Sequence, residues 1–370
     1  MEYTGKTFSI PSKMPRSLGF LPPPTLKECP EQFLGGALPV QITRPLGDWF
    51  NVKITGEVQS FRLFDAMSCV SGAETNSEEK QIENFRENGV RIDGVEYIID
   101  EDKIKDWLDE NGRVNLSERF LARTSGTTKT GNNPMKVLDT RDDYGLPPES
   151  MWPLKPFIEN AFNWNEYYKT IPQAVVDKAK IWEEYFKTRY ERITDVSHEN
   201  FRFVLKQCPI FWATATCSGW QTSPIVQSCT GTPNHMTICE GLEWLKYKWD
   251  YDTYNPFDKK LAWNYPVYYP YKFIVNPQLS VLKKKGENIM PKLQRKKNTQ
   301  EVFITLGNPP KRYWIKSETD FEALRQSQPL KDIEWSNINE VEIFTEPFEG
   351  DIIGQATFAD LLKKLFGGVK

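Results

Sequence analysis

At 370 residues the chain is longer than one ordinary hydrophobic core organises, which points to two domains. Hydrophobic residues at 39% and charged residues at 26% exclude a disordered chain, and a net charge of -3 gives no overall pull on nucleic acid. Aromatic residues make up 13%, with 12 Trp, so large rings must fill cores or interfaces.

The first 48 residues read as an extended arm. Pro11, Pro15, Pro22, Pro23, Pro24 and Pro30 interrupt any helix, and Phe20, Leu21 and Phe33 follow no period. The start carries no apolar stretch of signal-peptide type, and no run of about eighteen apolar residues occurs anywhere. The expectation is therefore a cytoplasmic protein with no membrane association.

From 49 to 281 the signals are mixed. A helix is expected from Ser71 to Asn88, stopped by Gly89. A second begins near Asn115-Leu116-Ser117-Glu118, and a third covers Pro134 to Asp143 before Gly145. Between Gln173 and Ile193, Val176, Ala179, Trp182, Phe186 and Tyr190 form one helical stripe. Strand-like runs follow at Ile210 to Thr216, His235 to Cys239, Leu245 to Tyr251 and Tyr268 to Val275. Helices first and an antiparallel sheet afterwards define an α+β chain.

Residues 282–298 read as a basic linker, with Lys283, Lys284, Lys285, Lys292, Arg295, Lys296 and Lys297 around Gly286 and Pro291. Residues 299–370 read as a small α+β module. It has strands at Glu301 to Leu306, Arg312 to Ile315 and Val341 to Phe344, and a helix from Ser317 to Gln326. An amphipathic helix over Thr357 to Phe366 closes the chain.

The six cysteines, Cys29, Cys69, Cys208, Cys217, Cys229 and Cys239, include no Cys-x-x-Cys pair, which argues against zinc and thioredoxin-type redox chemistry. Reduced, buried thiols are expected. With only two histidines, the search for a general base is short. His198, in Ser197-His198-Glu199-Asn200, reads as a polar helix start. His235 stands where a loop opens into a strand, a position that holds a side chain firmly beside a cleft. Cys69 immediately precedes a helix, whose N-terminal dipole favours a thiolate. Asp252 closes the next strand, and a hairpin would bring it to the imidazole. A lone cysteine is more often a small core hydrophobe than a nucleophile, so the order Cys, His, Asp carries the argument.

That order resembles the papain-like cysteine peptidases. Ser68-Cys69 matches the family's Ser-Cys pair at the start of its central helix, and Leu116-Ser117-Glu118 is similar to its Leu-Ser-Glu stretch. The run from Gly145 to Pro153 resembles its Gly-x-x-x-Glu-x-x-x-Pro segment. Asn234-His235 matches the catalytic histidine, and Asp252-Thr253-Tyr254 stands where the family has Asn-Ser-Trp. The span from Cys69 to His235 exceeds the usual 130–150 or so residues of the family, and the 173–193 helix is the natural insertion. Departures are Val70 after the nucleophile, Tyr254 for Trp, Asp for Asn at 252, and the lack of the family's disulfide cysteines and of a recognisable inhibitory pro-segment.

The resemblance implies a papain-like fold, a helical half and an antiparallel β half, and peptide-bond hydrolysis without a cofactor or metal. Cys69 is the implied nucleophile, His235 the acid/base and Asp252 its orienter. An oxyanion donor is implied a few residues before the cysteine. Leu63 occupies that slot, and Gln59 is the nearest Gln. A narrower motif order is similar to papain-like proteins of tailed bacteriophages. It runs through Leu38-Pro39, Gly47-Asp48-Trp49, Glu57-x-Gln59, Phe64-Asp65, Ser125-Gly126-Thr127-Thr128 and Lys259-Lys260-Leu261. That setting implies a polypeptide substrate and neighbouring virion proteins as partners of the arm and the C-terminal module. A structural virion protein on the same fold is the alternative.

Overall fold

The computed structural model describes residues 20–21, 42–56, 58–61, 64–155, 164–217, 220–227, 229, 231–243, 246–285, 292–297, 301–306, 311–325, 339–341 and 348–352. Most of the arm and the expected helix over 357–366 lie outside them. Two compact units emerge. One takes the described residues up to Val90 together with Ile98–Leu282, and the other takes Arg91–Tyr97 with residues from Lys283 onward.

In the first unit a short hairpin, β1 (Ser60–Phe61) and β2 (Phe64–Asp65), leads into α1 (Cys69–Asn88). Every residue of α1 from Cys69 to Phe85 is buried, although the helix is rich in polar side chains. A helix with no solvent face survives only if those side chains find partners. They do so with the segments around it. Glu79 Oε1 accepts from the Leu116 N–H (2.7 Å), and Glu83 Oε1 accepts from the Val114 N–H (2.6 Å). Lys80 pairs with Glu240 (2.6 Å) and donates to the Val52 carbonyl (2.7 Å). The Gln81 amide donates to the Phe273 carbonyl (3.0 Å) and accepts from the Val275 N–H (3.1 Å). The helix is thus held as a central peg, and Gly89, at φ +76, ends it.

Around it lie α2 (Glu101–Ile104), α3 (Glu118–Thr124), α4 (Pro134–Tyr144), α5 (Trp164–Tyr167), α6 (Gln173–Tyr185) and α7 (His198–Leu205). Their starts follow side-chain chemistry. Ser117 Oγ caps α3 at the Phe120 N–H, Asn133 Oδ1 caps α4, and Ser197 Oγ caps α7. The expected helix over 173–193 is corrected. It stops at Tyr185, and β5 (Phe186–Arg192) follows, pairing antiparallel with a later strand from Phe186↔Pro277 to Arg192↔Tyr271. From 186 to 189 burial alternates, with Phe186 and Thr188 in and Lys187 and Arg189 out, which is the period of a strand. The aromatic stripe continued across the boundary by coincidence of spacing.

A seven-stranded sheet completes this unit, with β6 (Ile210–Thr214), β7 (Ile225–Val226), β8 (His235–Glu243), β9 (Tyr247–Tyr251), β10 (Asp258–Ala262) and β11 (Val267–Pro277). Its order is β5-β11-β6-β8-β9-β10-β7, antiparallel throughout except for β10 with β7. The strand β8 lies at the centre, and α1 packs against β8, β6 and β11. A core of Trp49, Phe201, Leu205, Ile210, Trp212 and Tyr265, among others, anchors α7 and the sheet. The fold is α+β, with helices first and a mainly antiparallel sheet after, as expected.

In the second unit, the residues expected as a basic linker include two strands, β12 (Leu282–Lys284) and β13 (Lys292–Lys296). The lysines there occupy strand positions because β13 has partners on both edges. It pairs with β14 (Val302–Leu306) antiparallel and with β16 (Asn339–Val341) parallel. With β15 (Lys311–Ile315) and β17 (Phe348–Ile352) the order is β16-β13-β14-β15-β17, and α8 (Glu318–Arg325) follows β15. The hairpin of β3 (Val90–Ile92) and β4 (Val95–Ile99) contributes Arg91–Tyr97, and the Lys285 N–H donates to the Glu96 carbonyl (2.7 Å).

The ion pair that fixes α1 sideways is Arg141 with Glu78, both fully buried. Nε and Nη2 form a fork on the carboxylate at 2.6 and 2.5 Å, Nη2 also reaches the Phe186 carbonyl, and Trp182 Nε1 donates to the same carboxylate (2.7 Å). Removing one member strands a buried charge. Arg141→Met is therefore expected to cost about 3–5 kcal/mol in urea unfolding, and Arg141→Met with Glu78→Gln should recover part of it.

Candidate functional site

The chain enters α1 through a tight turn. Asp65 Oδ1 accepts the Met67 N–H (2.8 Å), and Met67 adopts φ +51, a left-handed conformation that swings the backbone into the helix. Cys69 is the first helical residue and Ser68 stands at the N-cap. The first N–H groups of a helix have no partner within it, so this turn aims donors and positive dipole at the thiol. The backbone amides of Met236 and Val70 reach the Cys69 sulfur. Met236 directly follows His235, so helix start and strand start meet here.

His235 opens β8 and is fully buried. Its ring lies between Tyr254, with centroids 5.1 Å apart, and the edge of Trp220, 5.9 Å away. Nε2 contacts Asp252 Oδ1 at 2.5 Å. An ionised carboxylate only accepts, so Nε2 carries hydrogen and Nδ1 is the basic nitrogen of the neutral ring. Nδ1 is buried with no hydrogen-bond partner among the described residues. The β8–β9 hairpin, in register at Ile238↔Tyr251, carries Asp252 just past the end of β9 to this contact.

Asp252 receives more than the imidazole. Trp220 Nε1 donates to Oδ2 (2.6 Å), Lys259 Nζ pairs with Oδ2 (2.8 Å), and the Thr253 N–H donates to Oδ1 (2.6 Å). Burial pushes this carboxyl up, but the charges of His235 and Lys259 and their hydrogen bonds outweigh it and hold it well below the usual carboxylate range. Asp250, two residues earlier, goes the other way. Burial and the Asp252 charge push it well up, despite donors from Trp212 and Thr237. The two carboxyls are thus pushed in opposite directions by their surroundings.

Burial also pushes the Cys69 thiol well up, and the Asp65 and Asp252 charges add to that, against the amides of Met236 and Val70. A lone thiolate is disfavoured in this pocket. It becomes accessible only if its proton passes to a neighbour that stays to neutralise it. Among the described residues His235 Nδ1 is buried and makes no hydrogen bond, to the Cys69 sulfur or to any other group.

Gln59 is 1% exposed and lies in the same cluster. Its amide donates to Asp65 Oδ1 (2.9 Å) and the Tyr254 hydroxyl (2.7 Å), and its carbonyl accepts from Thr253 Oγ1 (2.7 Å). Both amide hydrogens are therefore engaged, so the geometry brings Gln59 to the site without a spare hydrogen for an oxyanion. Tyr254 OH donates to Asp65 Oδ2, which closes the network. Gly72, one turn into α1, lets helix and loop meet, since a Cβ there would stand 2.4 Å from Thr253 Cγ2.

The sequence brought Cys69, His235, Asp252 and Gln59 forward, and the fold gathers all four. His198 begins α7 and packs against Trp263 in a tilted arrangement with ring centroids 4.4 Å apart. Residues without a sequence signal of their own are Trp220, Asp250 and the functional placement of Lys259 and Asp65, although the last two stood in quoted motifs. Among the described residues no group of His, Cys, Asp and Glu could hold a metal, and no helix is long and apolar enough to cross a membrane.

No protein-family profile matches the chain, and no curated protein does. Solved structures do. Xylellain, a cysteine protease from Xylella fastidiosa, is similar at TM-score 0.49 and 12% identity over 72% of this chain and 99% of that one. Bromelain protease from Ananas comosus, in complex with the E64 inhibitor, gives 0.42 and 13% over 62% and 98%. The ragweed pollen cysteine protease Amb a 11, in its proform, gives 0.43 and 14% over 66% and 69%. The chemistry of the site rests on its own residues.

The depressed Asp252 carboxyl has a consequence for acid stability. A carboxyl lowered on folding contributes stability that is complete above its unfolded value, about 3.9, and is lost as pH falls through the native value. The slope of unfolding free energy against pH, measured by urea titration below about pH 4, should be shallower in Asp252→Asn than in wild type.

Proposed function

We propose that this chain is a papain-like cysteine peptidase with Cys69 as nucleophile, His235 as general acid and base, and Asp252 as the residue that orients His235. The observation that supports it most is the division of the imidazole. Nε2 is committed to Asp252, while Nδ1 is buried and unengaged on the residue just before Met236, whose amide reaches the Cys69 sulfur. In the proposed reaction the Cys69 proton moves to Nδ1. The thiolate attacks the peptide carbonyl carbon, and the carbonyl π electrons move onto oxygen. As the tetrahedral intermediate collapses, Nδ1–H protonates the leaving amine and the C–N bond breaks, leaving a thioester. His235 then takes a proton from water, the hydroxide adds to the thioester carbon, and the acid product leaves as the thiol is restored. The oxyanion donors are the Cys69 N–H and Gln59, which would exchange Asp65 or Tyr254 for the oxyanion.

A phage-virion setting, with a virion or host-envelope polypeptide as substrate and docking through the arm and the C-terminal module, is proposed on motif order alone. The test of the activity is digestion of a reduced, unfolded protein under reducing conditions. Wild type should produce discrete fragments, and Cys69→Ala or His235→Ala should lower the rate by about a thousandfold or more. Cleavage that persists in Cys69→Ala would place the chemistry elsewhere. Inert wild type would return the chain to a structural role in an assembly.

A further inference from the structure

Lys259, on β10, is 1% exposed, and all three of its ammonium hydrogens are accounted for. They serve Asp252 Oδ2 (2.8 Å), the Tyr254 carbonyl (2.9 Å) and the Pro256 carbonyl. The Trp220 ring lies 5.5 Å from Nζ and gives its own Nε1–H to the same carboxylate oxygen. A long, flexible side chain buried to this degree sacrifices entropy and solvation, which is costly unless its charge is matched. The match here is a single carboxylate, and that carboxylate also holds the imidazole.

The pairing has a chemical meaning at a position where the resembled family carries a neutral Asn. An unneutralised aspartate against the imidazole would add a full negative charge beside the thiol. That charge favours the imidazolium but opposes the thiolate. Asp252 with Lys259 sums to zero, so the pair offers His235 an oxygen acceptor whose charge is largely offset, which leaves a smaller opposition to the thiolate at Cys69 than a bare aspartate would. We propose that Lys259 is a positioning residue that makes Asp252 act as a neutral acceptor and thereby sets the pH range over which the Cys69–His235 pair is reactive. The inference rests on the peptidase reading of the same site. Other titratable groups facing it are Asp65 from the turn before α1, Asp250 on β9 and Tyr254. Burial and the Asp252 charge push the Asp250 carboxyl well up.

The test is a cycle of Lys259→Met, Asp252→Asn and the double variant. The rate of Cys69 alkylation by iodoacetamide is followed across pH, and folding is checked by thermal melting. Loss of the Lys259 charge makes both the thiol and the imidazolium harder to deprotonate. Both limbs of the reactivity profile should therefore move to higher pH by about one unit in Lys259→Met. Asp252→Asn strands a buried lysine and should melt lower. The double variant restores neutrality, so its profile should return towards wild type and its melting temperature should exceed that of either single variant. If Lys259→Met fails to fold, recovery of folding and profile in the double variant still supports charge compensation. Additive losses, with the double variant worse than both singles, would overturn the inference, as would a Lys259→Met profile that melts lower without moving in pH. Failure of the reading itself looks different. Wild-type Cys69 would then alkylate only as an ordinary buried thiol, with no dependence on His235, and the inference would fall with it.

Discussion

The contact on which this site depends is the buried carboxylate of Asp252. Four donors converge on its two oxygens: the His235 ring, the Trp220 indole, the Lys259 ammonium and the Thr253 amide. An ionised carboxylate can remain in a dry interior only when its lone pairs are filled and its charge is matched. Each donor comes from a different stretch of chain, so satisfying the carboxylate also fixes where the loop before β8, the end of β9 and the start of β10 must lie. Its cost in solvation is offset by these four donors and by the opposite charge of Lys259.

From that anchor the rest follows in sequence. Fixing Nε2 on Asp252 sets the tautomer and leaves Nδ1 as the one basic nitrogen. The helix start places Cys69 beside the Met236 amide, and burial ensures that a thiolate there needs a cation close by. In the proposed reading, a thiol that cannot ionise alone is matched to a base that cannot turn away. The buried polar helix α1 supports this at a distance. Its glutamates, Lys80 and Gln81 tie it to the surrounding segments, so the position of Cys69 is held by many hydrogen bonds rather than by an apolar face.

Much of this was legible in the sequence because it depends on local signals. Cys69 before a helical run, His235 before an apolar strand and Asp252 one hairpin later are consequences of element boundaries, and the helix that Cys69 opens carries a local stop signal in Gly89. The helix over 173–193 was misjudged beyond Tyr185 because aromatic spacing fits two periods, and only the partner strand β11 decides between them. Lys259 and Trp220 were opaque as site residues for a related reason. Nothing local to a lysine in a strand says that its side chain turns inward to a carboxylate that a different strand presents. The saturation of Gln59 was equally hidden, since Tyr254 and Asp65 reach it from far along the chain and from the adjacent turn.

With only two histidines in the chain, the imidazole state can be read directly by long-range proton–nitrogen NMR of uniformly labelled protein, comparing wild type with Cys69→Ala near neutral pH. The account predicts that the His235 ring in wild type carries hydrogen on both nitrogens and becomes neutral, with hydrogen on Nε2 alone, when the thiolate is removed. A neutral His235 in wild type that is unchanged by Cys69→Ala would contradict it, because the two side chains would then share no proton.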